Sequence, residues 1–397
     1  MKVWFTALCA AAGILFGGCC RCHGAEKLPV KMDFLPGSRV EMRLNERKTD
    51  FAYWLQRQFA SRKMAAADVL KLCYQAAYGP EHLLQDPRAA ERYFYREFAA
   101  AAGSGNEPLF EIISPDICRV NLRAWKAGGF PAQWLWRLFA ASAGIFTDGD
   151  RVFRSHLAAA ERLIATGKYP VTLEQWRTAV AQGKKGQPPR HSKGYHAAEK
   201  PSYRIISTRF LLLMPLLSKL KELPPGQNGI RVIAIDGRAA SGKSTLAKFL
   251  AVMLDADAVH MDDFFLPEAL RTPSRMLEAG GNVHYERFIS EVLPNLRKRS
   301  DFTYGKFDCS IKKLNGRRKI RASAWRIVEG AYSHSPRLGK YADLKIFYHI
   351  APAEQQKRIL KRNGAKALRM FVTMWIPLEE RYIACFDIPG EADIVLE

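Results

Sequence analysis

The sequence predicts an α/β fold, a parallel sheet wrapped by helices, for residues 230–397, preceded by a mainly α-helical domain over residues 44–222. From Ile230 onward, short apolar runs rich in β-branched residues alternate with segments of helical periodicity, as in parallel sheets with crossover helices. Before Glu222 most periodic segments have helical spacing instead. Chain breakers cluster at residues 223–229, which read Leu-Pro-Pro-Gly-Gln-Asn-Gly and predict a linker.

The elements of the first domain follow from apolar residues spaced three and four apart. Helices are predicted at residues 51–61, 65–78, 87–102, 131–143, 150–166 and 172–182. Thr172 followed by Gln175 predicts a capping box, and Gly183 predicts the end of that helix. Further predictions are a strand or hairpin arm at 117–125, an exposed loop at 183–201, and an apolar helix at 204–222 with a kink at Pro215.

Three histidines of this domain, His82, His191 and His196, are interpreted as solvated or hydrogen-bonded structural residues, with a shared site as the alternative. No motif in residues 44–222 indicates a role for the domain.

In the second half, strands are predicted at residues 231–235, 258–261, 326–328, 344–348 and 393–396, and helices at 243–254, 285–299, 353–362 and 367–384. Ligands of such sheets bind at the carboxyl ends of the strands. The residues that directly follow each strand are therefore the first candidates for a site.

A glycine-framed loop after the first of these strands is the most specific motif in the chain. Residues 237–244 fill the P-loop pattern G-x-x-x-x-G-K-S/T. Glycines let the backbone wrap closely around a phosphate, and the N–H groups that begin the following helix favour anions. Lys243 would reach the β- and γ-phosphates, and Ser244 would hold Mg²⁺. The motif predicts ATP and Mg²⁺ as cofactors, held by Gly237, Ser241, Gly242, Lys243, Ser244 and Thr245; the alternative is an ordinary glycine-rich turn.

Carboxylates follow two further strands. Asp262, in the run Met-Asp-Asp-Phe-Phe, would face the γ-phosphate and accept the proton of an attacking hydroxyl. Glu329 ends the strand before Gly330 and would orient Mg²⁺. The alternatives are an aspartate pair that caps a loop and a plain carboxylate at a strand end.

A basic helix face lies further on, formed by Lys357, Arg358, Lys361 and Arg362. In a lid over the site, Arg358 and Arg362 would neutralise charge on a transferred phosphoryl group. As an isolated run of charge, the same face would simply be solvated.

These segments, together with residues 281–285 and 304–308, resemble the uridine kinase/phosphoribulokinase family, in that family's order and over about residues 230–397 only. The resemblance implies an ATP-dependent kinase in which Asp262 is the general base and Lys243 and Ser244 bind ATP and Mg²⁺. It further implies that Glu329 assists the metal and that Tyr304 and Phe307 stand near a nucleobase.

The chain departs from that family at two positions. His284 stands where the nucleoside kinases place an aspartate for the ribose hydroxyls, and a neutral imidazole lacks the charge-assisted hydrogen bond of a carboxylate. The histidine that reads the base has no counterpart, because Cys309, Ser310 and Lys312 follow Asp308. These two departures weaken the inference that uridine is the substrate.

The formal net charge of +22 is high for a folded protein. The charge is scattered, and no nucleic-acid-binding motif accompanies it, so it favours solubility or the steering of anionic substrates, with no nucleic acid expected. An ATPase that acts on nucleic acid is the reading that the charge alone would support.

The first 25 residues resemble a secretory or lipoprotein signal, with Lys2, an apolar run over residues 3–16 and then small residues. The run is too short to span a bilayer, so no transmembrane span is expected. Since ATP is cytosolic, a cytoplasmic protein whose translation starts at Met32 is preferred, and export or lipid anchoring is the alternative.

Taken together, the sequence predicts a Mg·ATP-dependent phosphotransferase acting on a small-molecule alcohol, with a pyrimidine nucleoside as the implied acceptor. Two alternatives remain open. The acceptor is another sugar or a pantothenate-like alcohol, or the protein is a nucleotide-binding regulator without phosphotransfer. The oligomeric state is also open, with a homo-oligomer among the alternatives.

Overall fold

The structure is a computed structural model that describes residues 30–34, 38–42, 51–103, 107–143, 148–183, 188–309 and 311–396. The expected signal at residues 1–25 and the side chain of His82 lie outside the described part. Two compact units divide the chain, the first ending at Lys221 and the second beginning at Glu222. No helix among the described residues is long and apolar enough to cross a membrane.

The first unit contains nine helices and five strands in its described part. The helices are α1 (Phe51–Ser61), α2 (Ala66–Tyr78), α3 (Pro87–Ala100), α4 (Leu122–Ala127), α5 (Ala132–Ala141), α6 (Gly149–Ile164), α7 (Leu173–Gln182), α8 (Lys193–Glu199) and, across the unit boundary, α9 (Met214–Glu222). The strands are β1 (Val30–Phe34) and β2 (Ser38–Met42), which form an antiparallel hairpin, and β3 (Phe110–Ser114), β4 (Ile117–Asn121) and β5 (Tyr203–Ser207), which form an antiparallel sheet in that order.

The predicted capping box of α7 is confirmed. The Gln175 N–H donates to the Thr172 hydroxyl at 3.2 Å, and the Thr172 N–H donates to the Gln175 amide at 3.0 Å. Gly183 follows the helix as predicted. Local chemistry decides this segment, because its signals lie within a dozen residues of one another.

Two predictions for the first unit are wrong, and a third is right only in part. Residues 204–222 do not form one helix, because β5 pairs with β4 and buries Ile205 and Ile206 before a 3-10 turn (Thr208–Leu213) leads into α9. The predicted loop at 183–201 contains α8, whose first turn is capped by the Ser192 hydroxyl. At 117–125 the chain is a strand only to Asn121, whose side chain then caps α4.

The second unit is an α/β P-loop fold. Its sheet has five parallel strands in the order β12 (Ile394–Leu396), β11 (Leu344–Tyr348), β6 (Arg231–Gly237), β10 (Trp325–Glu329) and β7 (Ala258–His260). The helices are α10 (Lys243–Leu254), α11 (Pro273–Leu277), α12 (Tyr285–Glu291), α13 (Leu293–Leu296), α14 (Pro352–Met370) and α15 (Ile376–Cys385), and a π-helical turn (Phe371–Trp375) joins the last two. Strand β6 lies at the centre, so the loop after it opens between β10 and β11.

The structure adds a hairpin and the short helix α11 to the elements predicted for this unit, and it divides one predicted helix. An antiparallel hairpin, β8 (Phe302–Asp308) and β9 (Lys313–Ile320), was not predicted, because β9 is mostly polar and the alternation that begins at Phe302 and Tyr304 in β8 is interrupted after Gly305. The helix predicted at 285–299 is two short helices. Pro294 lies in the first turn of the second one and has no N–H to continue the first.

Candidate functional site

The loop at residues 237–244 has the backbone geometry that its glycines permit. Gly237 has a φ of +149° and Gly242 a φ of +116°, conformations that disfavour any side chain. A Cβ atom on Gly237 would lie 2.3 Å from the Tyr348 carbonyl oxygen. Helix α10 begins at Lys243, directly after the loop, so its first N–H groups face the space that the loop encloses.

Side chains of α15 and β6 hold the first half of this loop. The Ala239 N–H donates to Glu379 Oε2 at 3.0 Å, and Arg238 donates through Nη2 to Glu380 Oε2 at 2.8 Å. Asp236, buried at the end of β6, accepts the N–H of Gly237 at 2.7 Å and the Tyr382 hydroxyl at 2.8 Å. The loop is therefore fixed in place by carboxylates from two elements.

Lys243 and Ser244 lie where the sequence places them, at the start of α10. Lys243 Nζ donates to the Arg238 carbonyl oxygen at 3.1 Å, so the ammonium group folds back over the loop. The Ser244 hydroxyl donates to Glu329 Oε2 at 3.0 Å. Thr245 follows in the first turn, with its N–H bonded to the Gly242 carbonyl oxygen at 3.0 Å.

Glu329 is buried at the end of β10 and is bonded on both oxygens. His260, the last residue of the neighbouring strand β7, lies 2.6 Å from Glu329 Oε1 through Nδ1. Burial would raise the pKa of Glu329, but the hydrogen bond and charge of His260, the charge of Lys243 and the bond from Ser244 outweigh it and lower the pKa. Glu329 is thus held as a carboxylate beside the serine.

Asp262 lies in a 3-10 turn (Met261–Phe264) directly after β7. Its side chain is exposed to solvent, yet protein atoms crowd its carboxylate closely enough to raise its pKa by desolvation. The negative charges of Glu329 and Asp263 raise this pKa further, while those of Lys243 and His260 lower it. Asp262 therefore lies close enough to Lys243 and Glu329 for their charges to shift its pKa.

The neighbouring Asp263 is buried and has a structural contact set. Its Oδ2 accepts the Tyr304 hydroxyl at 3.0 Å and Arg318 Nε at 2.9 Å. Tyr304 is fully buried and Phe307 is 3% exposed, so neither ring offers a free face for a base to stack on. The structure places both side chains in the core, whereas the resemblance to the kinase family predicts that they lie beside a nucleobase.

His284 caps α12. Its Nδ1 accepts the Arg287 N–H at 3.3 Å and also lies 3.2 Å from Glu286 Oε2. The imidazole that was expected to contact the acceptor is therefore already hydrogen-bonded to a backbone N–H group of its own helix.

The two arginines of the basic helix face lie differently with respect to the loop. Arg358 reaches the carbonyl oxygens of Ala240 and Ser241, each at 3.3 Å, and also bonds Glu354 at 2.9 Å. Arg362 is exposed and bonds Asn363, its neighbour on α14, at 2.7 Å. The structure brings Arg358 to the loop and leaves Arg362 pointing to its own helix.

The residues present fit a nucleotide with its metal ion. The Ser241 hydroxyl is buried and has no hydrogen-bond partner among the described residues, as expected for a group whose partner is a bound anion. The Ser244 hydroxyl and the Glu329 carboxylate are the hard oxygen donors that Mg²⁺ prefers. Within the described part of the chain no cluster of three or more His, Cys, Asp or Glu side chains forms a protein-only metal site.

Several residues of the site were not expected from the sequence. His260 bonds Glu329, Asp236 and Glu379 anchor the loop, and Arg318 pairs with Asp263. His260 and Asp236 do carry a signal, because each stands at the end of a strand that was predicted. Glu379 and Arg318 carry none, because they come from a helix and a hairpin that are far away in sequence.

No family model and no curated protein matches the chain. Among solved structures, it is similar to a possible uridine kinase from Bacillus stearothermophilus, at 18% identity and a TM-score of 0.37, over 47% of this chain and 97% of that one. It is also similar to a proposed fructose transport system kinase from Silicibacter sp. TM1040, at 24% identity and a TM-score of 0.38, over 47% and 98%. At such low scores these two likenesses decide nothing about activity or substrate.

Proposed function

We propose that the second unit is a Mg·ATP-dependent phosphotransferase that acts on the hydroxyl group of a small molecule. The observation that supports this is the meeting of four side chains at one edge of the sheet. Lys243 and Ser244 begin α10, while Glu329 ends β10 and Asp262 follows the neighbouring strand β7. An ATP-binding regulator would need the first three, but it would have no use for the exposed carboxylate of Asp262.

Each of these residues has a distinct part in the proposed reaction. The loop N–H groups and Lys243 bind and orient the phosphates, while Ser244 and Glu329 hold the metal ion. Asp262 accepts the proton of the acceptor hydroxyl. At the same time the oxygen of that hydroxyl bonds to the γ-phosphorus, and the bond from this phosphorus to the ADP oxygen breaks. When bound, Mg²⁺ neutralises charge on the phosphates. Arg358 lies against the loop and adds positive charge there.

The raised pKa of Asp262 suits this part. A base is most effective when its pKa approaches the working pH, and desolvation by the surrounding protein atoms, together with the charge of Glu329, moves the pKa of Asp262 in that direction. The positive charge of Lys243 lowers this pKa and so opposes the shift.

Among acceptors, we propose the 5′-hydroxyl of a pyrimidine nucleoside as the first to test, because the order of the motifs resembles the nucleoside kinases. Another sugar or a pantothenate-like alcohol is the alternative. His284 caps its own helix and Tyr304 is buried, so neither side chain supports one particular acceptor. The assay should therefore include a broad panel of acceptors.

The test is transfer of the γ-phosphate from ATP to nucleosides, sugars and pantothenate, measured in the wild type and in Asp262→Asn. The substitution should lower kcat roughly a hundredfold or more, because the base is lost, while ATP binding by calorimetry stays unchanged. The control is Asp86→Asn, an exposed helix cap in the first unit where asparagine caps equally well.

Lys243→Ala separates binding from chemistry. It should weaken ATP binding about tenfold or more through the loss of a charged hydrogen bond, and Lys248→Ala, one turn further along the same helix, should not. Equal transfer by wild type and Asp262→Asn would refute the proposed base. ATP binding with no transfer to any acceptor would favour the regulatory alternative.

A further inference from the structure

Polar side chains from six elements meet in the interior of the first unit, where an apolar core is expected. We name this group the polar cluster, and it comprises Gln58, Arg62, Asp68, Lys71, Gln75, Glu111, Arg119, His191, Tyr195 and Tyr203. Buried polar groups lower stability unless every one is paired. The contacts within the cluster show which groups are paired and which are not.

Helix α2 contributes three of these residues from one face. Asp68, Lys71 and Gln75 are spaced three and four apart, which places them in a line along the helix. Asp68 is fully buried and Gln75 is 4% exposed, so this polar line faces the interior.

A chain of hydrogen bonds runs from this helix to β5. Asp68 Oδ1 lies 3.0 Å from His191 Nδ1, and His191 Nε2 lies 2.8 Å from the Tyr203 hydroxyl. Gln75 Nε2 donates to the same hydroxyl at 3.0 Å. Burial lowers the pKa of His191 to about 4, so the imidazole is neutral, donates to Asp68 and accepts from Tyr203. The relay is complete and needs no added partner.

Arg119 and Arg62 share the carboxylate of Glu111. Arg119, opposite Glu111 in the sheet, is 3% exposed and donates to Glu111 at 3.1 Å and to Gln75 at 2.8 Å. Arg62 pairs with Glu111 at 2.6 Å. The Nε–H groups of both arginines are nevertheless buried with no hydrogen-bond partner in the described part of the chain. Arg62 Nε, however, lies 3.8 Å from Glu199 Oε2 in an ion pair, so it is the Arg119 Nε–H that is left over at the centre of the cluster.

Lys71 is a further cation of the cluster. It is half-buried, its charge interacts with those of Asp68, Arg119 and Arg190, and burial lowers its pKa to about 8. No carboxylate of the described residues lies within ion-pair distance of it. Asp68 cannot compensate it fully, since both of its oxygens already accept bonds from His191, Ser192 and Ala65.

We propose that Lys71 and Arg119 form a second binding site, which takes a small anion through a carboxylate or phosphate group. An anionic oxygen would satisfy the unpartnered ammonium and guanidinium donors together, which a neutral ligand would not do. The Tyr203 ring lies 4.7 Å from the Arg119 guanidinium and packs against it, and the Tyr203 hydroxyl is in turn bonded to His191. This site lies in the first unit and is independent of the phosphotransferase proposed for the second.

The test is calorimetric titration of the full-length chain with inorganic phosphate and, separately, with succinate, at millimolar concentrations. Lys243→Ala is present throughout to weaken phosphate binding at the loop of the second unit. Lys71→Met should reduce binding of the preferred probe about tenfold or more, since it removes a charged hydrogen bond. Lys63→Met removes the same charge from an exposed position near α1 and should leave binding unchanged.

The two probes distinguish the sources of the anion. Preference for phosphate would assign a phosphorylated ligand, and preference for succinate a carboxylate ligand. Binding of neither probe, or equal binding by Lys71→Met and the lysine control, would overturn the proposal. Circular dichroism checks that the variant folds, and Lys71→Gln gives the same test if the methionine variant does not.

Discussion

Carboxylates beside the loop at residues 237–244 differ in pKa because their partners differ. Glu329 is bonded to Ser244 and His260, and its pKa lies below the ordinary value. Glu379 is as deeply buried but has only the Ala239 N–H as a described hydrogen-bond partner, and burial raises its pKa to about 7. Burial therefore raises the pKa of a carboxylate only where too few hydrogen-bond donors or cations stabilise its charged form.

The raised pKa of Glu379 makes the stability of the second unit depend on pH. The native state binds more protons than the unfolded state between the ordinary glutamate pKa and about 7, so stability falls as pH rises through that window. Glu379→Gln, which keeps the acceptor for Ala239, removes this penalty. Relative to wild type, its free energy of unfolding should rise by up to about 3 kcal/mol between roughly pH 5 and pH 8.

Thermal unfolding at the two pH values measures this change. Glu391→Gln, a substitution at an exposed glutamate, is the control and should track wild type at both. A difference in stability between Glu379→Gln and wild type that is the same at both pH values would contradict the prediction.

At the scale of elements, the backbone of the loop after β6 decides whether the site forms. Gly237 has a positive φ and lies close to Tyr348, its pairing partner on β11. The same residue therefore ends the strand pairing and sets the conformation of the loop. Glycine is required there for two independent reasons.

Gly237→Ala should therefore abolish ATP binding and lower the stability of the second unit by several kcal/mol, since the Tyr348 carbonyl oxygen cannot yield without disturbing the sheet. Gly167→Ala is the matched control. Its φ is +68° but its Cβ would meet nothing within 4 Å, so it should cost only about 1 kcal/mol. Calorimetric ATP titration and thermal unfolding check both. Retained ATP binding in Gly237→Ala would show that the loop tolerates a Cβ.

At the scale of the whole molecule, the described cores each belong to one unit. One core cluster draws its residues from Phe51 to Ile205, and another from Val232 to Ile388. The polar cluster lies in the first unit and the loop in the second. We expect each unit to respond separately to changes in its own core and ligand.

Scanning calorimetry should then show that ATP raises the unfolding temperature of one transition and leaves the other in place. Leu72→Ala, a truncation of a fully buried side chain in the first unit, should lower the other transition, at a cost of about 2–5 kcal/mol, without changing ATP affinity. Movement of both transitions by ATP would show that the units unfold together.

Much of the second unit could be predicted because its signals are local. The loop at 237–244 and the strand before it are contiguous, and the carboxylates of Asp262 and Glu329 directly follow predicted strands. Parallel strands place their carboxyl ends at one edge, so the convergence follows from the pattern alone. The placement of Tyr304 did not follow, because an aromatic residue on a hairpin strand can face the site or the core with the same sequence signal.

The sequence by itself determined the glycine-framed loop at residues 237–244, the parallel sheet that carries it and the capped helices, since each depends on residues that are neighbours in the chain. Only the tertiary structure decided that Glu379 would hold the loop and that Asp68 would meet His191, 123 residues further on. It also decided that residues 203–207 form a strand, because the partner strand β4 lies far earlier in the chain. Hydrogen-bond partners distant in sequence leave no periodic pattern, and so they emerge only when the chain has packed.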